Sequence, residues 1–233
     1  EEFYKLGCSY SISSGEDQTA LTLSGLNENF DKAFVLLESV INDLKPEEAA
    51  LKNLVSDIIK VRADNKLDKE KILWDAMFSY GKYGAKSPYT DIMTEQELAA
   101  IDPMQLINAI KELPNYKQKI LYYGPLSEDA LKTKLNNDYT LIPDNLKEAP
   151  VPVKYEELTT SDNTVYVVNY PDMVQAEILM LTKKENYDKD KIPYIALYNE
   201  YFGGGMAGIV FQELRESKAL AYSTFSSFTI PNK

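Results

Sequence analysis

Apolar residues recur every three or four positions in some segments and alternate with small polar residues in others, so the chain predicts both helices and strands. Lys5 to Ser14 (KLGCSYSISS) and Gln18 to Leu23 (QTALTL) alternate around Gly15-Glu16-Asp17 and read as a hairpin. Phe30, Ala33, Phe34, Leu37, Val40, Ile41 and Leu44 then make one helical face, with Asn27 as its N-cap. Pro46 opens a second helix, with Glu47 and Glu48 in the first turn and a face of Ala50, Leu51, Leu54, Val55, Ile58 and Ile59. Asp68 caps a third, and Thr94 and Glu97 have the spacing of a capping box. Asp102-Pro103 opens the helix Met104 to Leu113, Tyr116 to Tyr123 reads as a strand, and Ser127 caps a helix through Leu135.

Residues 137–162 carry Pro143, Pro150 and Pro152 with mixed charge and no periodicity, which marks a linker. Beyond it, Thr164 to Asn169 and Gln175 to Leu181 read as strands joined by the turn Tyr170-Pro171-Asp172. A helix from Asp190 and Pro193 ends near Phe202, followed by Gly203, Gly204 and Gly205. Each glycine costs about 1 kcal/mol relative to alanine inside a helix, so three together predict a bend. A new helix is expected from Met206, with Ile209, Val210 and Leu214 as its buried stripe, and then a strand from Leu220 to Ile230 rich in Ser, Thr, Tyr and Phe. The pattern is that of an α+β protein.

Composition narrows the function. With 233 residues and 44% hydrophobic content, the chain is long enough for real cores. A net charge of -11 without clustered Lys or Arg argues against nucleic acid and favours basic peptides electrostatically. The absence of histidine removes Ser-His-Asp and Cys-His catalysis and the H-x-x-E-H zinc motif. Cys8 is the single cysteine, so no internal disulfide or cysteine metal cluster is expected. No run of 18 apolar residues is present, so no transmembrane segment is expected.

Arg215 in the last turn of one helix and Tyr222 at the start of the next strand suit one task. A charged planar guanidinium and a phenol hydroxyl together can hold a carboxylate, a peptide carbonyl or a developing oxyanion. On spacing alone a second reading stands beside it, in which Arg215 complements its helix C-terminus or pairs with Glu216 and Tyr222 fills a sheet. A third takes Gly203 to Gly205 as a phosphate-binding bend, but no Gly-Lys-Ser/Thr follows and the acidic balance opposes it.

The run FGGGMAGIVFQELRESKALAYS resembles the signature in the non-catalytic half of the pitrilysin/insulinase-type zinc metallopeptidases, and LSGLNENFDKAFVLLESVI matches more loosely. The resemblance implies antiparallel sheets backed by helices, as in mitochondrial processing peptidase and pitrilysin. It implies that Arg215 and Tyr222 bind substrate peptide beside a zinc ion held outside this chain, by the H-x-x-E-H half of the same protein or of a partner subunit. This chain then has no catalytic residue and no metal ligand of its own, and is inactive alone. The alternative is a catalytically dead homologue that serves as scaffold or partner subunit. If a signal has been removed, the bacterial periplasm or another extracytoplasmic space is one setting.

KLGCSYSISS (Lys5 to Ser14) also echoes KALAYSTFSS (Lys218 to Ser227). With the resemblance, the echo implies the later half of one peptidase-like unit over 1–136, a linker over 137–162, and the earlier half of the next unit over 163–233. Half units expose strand edges. They are expected to complete each other within one chain, or by exchange between two chains as a homodimer.

Overall fold

A computed structural model describes residues 1–15, 18–139, 145–171, 173–183 and 186–230. They form two compact units, one of Glu1–Leu158 with Val165–Leu181 and one of Thr159–Thr164 with Thr182–Lys233.

In the first unit a short helix α1 (Glu2–Lys5) leads into β1 (Cys8–Ser14) and β2 (Thr19–Gly25). The two strands are antiparallel, with Cys8 opposite Gly25 and Ser14 opposite Thr19, as the alternation predicts. Glu16 and Asp17 of the expected turn lie outside the described residues. α2 (Phe30–Asn42) buries Ala33, Leu37 and Ile41, one residue per turn of the predicted face. Phe3, Leu37 and Ile41 form the core against the hairpin, with Cys8, Leu23, Leu36 and Val40 packed on it. The expected Asn27 cap is replaced by a 3-10 turn over Asn27–Asn29, whose Asn29 side chain donates to the Leu6 carbonyl at 2.9 Å. A bond to a segment distant in sequence has displaced the local cap.

A second cluster is aromatic. Phe34 lies 3.9 Å and Phe30 6.5 Å, centroid to centroid, from Tyr139, and Phe30 meets Tyr122 edge-on at 6.1 Å. Tyr139 follows α8 (Glu128–Asp138) and is buried; its hydroxyl donates to Asp31 Oδ1 at 2.8 Å, while Lys134 Nζ lies 2.7 Å from the same oxygen. Those two partners, Lys134 first, hold the Asp31 carboxyl below its ordinary pKa.

Of the remaining helices, α3 (Glu48–Asn65) starts without a side-chain cap, whereas several of the others begin at a short polar side chain that accepts from the first free N–H groups. α3 buries none of its residues, and its Arg62 donates to the Met93 carbonyl at 2.6 Å. α4 (Lys69–Lys71) starts at Asp68, which accepts from the Glu70 and Lys71 N–H groups. It continues through a π-type stretch, Ile72–Met77, into α5 (Phe78–Tyr83). α6 (Glu95–Ala99) carries the Thr94/Glu97 capping box, and α7 (Pro103–Glu112) is capped by Asp102, each as the sequence predicts. Ser127 likewise caps α8 by accepting from the Ala130 N–H.

The expected strands at 116–123, 164–169, 175–181 and 220–230 are not strands in the structure. Among the described residues the hairpin is the one sheet, and outside it a single parallel bridge joins Tyr116 to Lys147. Strand character depends on a neighbour that accepts the backbone bonds, and alternation alone does not supply one. Val165, Val167, Ile178 and Met180 are each more than 80% exposed. Side chains anchor this stretch instead: Tyr166 packs edge-on against Tyr80 at 5.3 Å, Tyr170 donates to the Leu67 carbonyl at 2.6 Å, and Glu177 pairs with Lys69 at 3.2 Å. Asp172 of the expected turn and Pro143 of the expected linker lie outside the described residues. Near the end of 137–162, Tyr155 donates to Asp91 at 2.9 Å and Glu157 pairs with Lys82 at 3.1 Å.

In the second unit a 3-10 turn over Lys189–Lys191 leads into α9 (Ile192–Tyr198), which is continued by a π-type turn over Asn199–Gly203. Gly205 takes φ +65, the left-handed region that favours glycine, and the expected bend is there. The following helix begins near Ile209 rather than Met206, and its stripe is shallower than predicted: Ile209 and Val210 are half-buried and Leu214 is exposed. The segment after it returns to α9. Asn199 donates to the Phe228 carbonyl at 3.0 Å and accepts from the Phe228 N–H at 2.7 Å, and Tyr198 shares a hydrogen bond with Ser226 at 2.9 Å. A Cβ at Gly203 would lie 1.7 Å from the Ser226 carbonyl oxygen, so only glycine allows this approach.

Two outcomes follow from this packing. Gly203→Ala should destabilise the second unit by about 1 to 3 kcal/mol, the range for overpacking, read as a loss of amide protection there during hydrogen exchange. Because the native Asp31 pKa is depressed, its contribution is present above the ordinary carboxylate range and lost as pH falls through the native value. Asp31→Asn should therefore lower the urea midpoint at neutral pH, with the difference from wild type closing on acidification.

Candidate functional site

The helical turn that carries the site, Phe211–Ser217, is wound wider than an α-helix, with the Lys218 N–H bonding the Glu213 carbonyl at 3.2 Å. It ends at Ala219, whose φ of 50 is left-handed. The Ala219 N–H bonds the Arg215 carbonyl at 3.1 Å and the Leu220 N–H bonds the Leu214 carbonyl at 2.9 Å. This is a left-handed helix cap, one residue wider than usual because of the winding before it. The reversal sends the chain back toward the helix and carries Tyr222 with it.

Arg215 and Tyr222 meet as a result. The guanidinium carbon lies 4.9 Å from the centre of the Tyr222 ring and 4.7 Å from the centre of the Phe211 ring. Both distances are in the range of cation–π attraction. Glu216 pairs with Arg215 Nε at 3.5 Å, and the Arg215 side chain is 35% exposed. Tyr222 is 82% exposed. The pair can offer guanidinium N–H donors and a phenol hydroxyl to one planar oxygen acceptor. It sits beside a helix end; no ladder passes it among the described residues, so the sheet edge expected there is not part of the site.

Gly203, Gly204 and Gly205 lie at the bend before this helix and not at its first turn. The Gly208 N–H is directed to the Gly205 carbonyl at 3.4 Å. Nothing in the sequence marks Phe211 except its position four residues before Arg215, which places the two on one helix face.

The donor chemistry does not fit zinc. The sequence has no histidine and one cysteine, and among the described residues no three His, Cys, Asp or Glu side chains gather in a metal-binding arrangement. Among the described residues no helix is long and apolar enough to cross a membrane.

Residues 114–232 match the family described as peptidase M16 inactive domain. The fold is similar to the crystal structure of a peptidase M16 inactive domain from Pseudomonas fluorescens, with a TM-score of 0.58 and 15% identity. That alignment covers 98% of this chain and 55% of the other, so this chain spans about half of that structure's length. At such identity the likeness concerns the fold. No match was found among curated proteins. The matched stretch is more than half of the chain and includes the glycine bend, Arg215 and Tyr222, and on that ground the chain belongs to the peptidase M16 inactive-domain family, the non-catalytic half of the pitrilysin type.

Proposed function

We propose that this chain is a peptide-gripping part of a zinc metalloendopeptidase whose metal, attacking water and general base are supplied by the other half. The observation that carries the reading is the 4.9 Å approach of Arg215 to Tyr222 in a chain of an inactive peptidase domain. Arg215 donates to a peptide carbonyl or carboxylate oxygen, and the Tyr222 hydroxyl donates to the same group or its neighbour. As the carbonyl becomes tetrahedral its oxygen gains charge, and donors already in position stabilise that charge more than the ground state. With no histidine in the sequence, the chain supplies binding and orientation while proton transfer takes place on groups of the other half.

A charge-assisted hydrogen bond of this kind contributes about 1.5 to 3 kcal/mol, which corresponds to about tenfold to hundredfold in rate. Cleavage of a fluorogenic peptide mixture with zinc should be absent with this chain alone and appear when the H-x-x-E-H half is added. Arg215→Ala or Tyr222→Phe should then lower kcat by about tenfold to hundredfold with a smaller change in KM. A change confined to KM would remove the transition-state role. A folded partner that stays inactive in the mixture would instead favour a scaffold.

A further inference from the structure

The two rings beside Arg215 reach it from different parts of the chain. Phe211 lies one turn earlier on the same helix, at 4.7 Å, and Tyr222 comes from beyond the left-handed cap, at 4.9 Å. An arginine on a solvent-facing helix samples many rotamers unless something fixes its plane, and stacking on a ring does so. The N–H donors of a guanidinium lie in its plane and on its rim, whereas stacking engages its face. Glu216 takes up Nε at 3.5 Å, which leaves the terminal nitrogens for an acceptor that arrives in plane.

We infer that Phe211 is a positioning residue for Arg215, stacking on the guanidinium so that its N–H rim, and not its face, meets the peptide. The inference rests on the reading of Arg215 as a peptide-gripping group and adds what orients its donor rim. The rim then meets a backbone carbonyl or terminal carboxylate oxygen, available in any peptide sequence. Aromatic side chains are disfavoured as the primary contact, because stacking is already supplied from within the chain.

The chain has two arginines, Arg62 and Arg215, so arginine-selective labelling gives a two-signal NMR spectrum in which Arg215→Lys assigns the second. The Arg215 Nε–H and side-chain methylene signals should be shifted upfield by the rings. Phe211→Leu should remove the share of that displacement owed to the Phe211 ring and weaken binding of a basic, unstructured twelve-residue peptide severalfold, and Phe211→Tyr should restore both. Should Phe211→Leu unfold the second unit, Phe211→Met supplies a longer, adaptable apolar side chain without the ring and gives the same comparison. An amidated peptide that binds as well as the free acid assigns a backbone carbonyl; binding of the free acid alone assigns the carboxylate. If the peptide moves the Arg215 signals but Phe211→Leu or Phe211→Met leaves shift and affinity unchanged, the positioning role of Phe211 is wrong and the gripping reading stands. If no peptide moves the Arg215 signals, both fall together.

Discussion

The carbonyl of Ser226 occupies the space where any side chain at Gly203 would begin, and the second unit is arranged around that approach. One backbone can come so close to another only where the Cβ is missing. Once it does, Asn199 can exchange two hydrogen bonds with Phe228, and Tyr198 can reach Ser226. The segment beyond Tyr222 is thereby fixed along α9 and its continuation. The other end of the site is fixed by the helix that carries Phe211 and Arg215. Tyr222 lies between these two anchors, and its ring is left beside the guanidinium. A glycine without any functional atom of its own therefore underlies the geometry of the charged pair.

The first unit is held by other means. Its apolar core is small, centred on Phe3, Leu37 and Ile41, and the aromatic group around Tyr139 adds a second centre tied by Asp31 and Lys134. α3 and the extended residues 165–170 and 175–181 contribute little burial; α3 is tied by Arg62 to the Met93 carbonyl, and the extended residues by individual tyrosine and lysine contacts. Such contacts at the surface are worth far less than buried apolar area, so the stability of this unit is concentrated around the hairpin and α2.

Which parts of this were legible in the sequence follows from the range of the forces involved. Asp68, Thr94, Asp102 and Ser127 cap their helices where the sequence places them, because a cap is settled within four residues. The hairpin is legible for the same reason: its partner strand is the next segment. The stretches at 116–123, 164–169, 175–181 and 220–230 have the alternation of strands, yet a ladder needs a neighbour that alternation does not name. Asn27 fails as a cap because Asn29 is drawn to Leu6, a contact no local window contains. At the site, the residue types and spacing of Arg215 and Tyr222 made a joint role possible, and the family resemblance selected it. That they meet depends on the left-handed turn at Ala219, which an alanine does not advertise.

That turn also bears on how the sequence can diverge. Three residues, Lys218, Ala219 and Leu220, take the chain from a widened helix into its reversal, with Leu220 bonded back to Leu214. An insertion or deletion here would change which residue adopts the left-handed conformation and turn the side chain at position 222 away from the cation. Away from Phe211 and Arg215 the helix before the turn can drift in composition, and the segment after it can exchange Ser for Thr. Between Arg215 and Tyr222, however, length is the quantity under constraint, and related chains that keep the pair should differ there by substitution and not by indels.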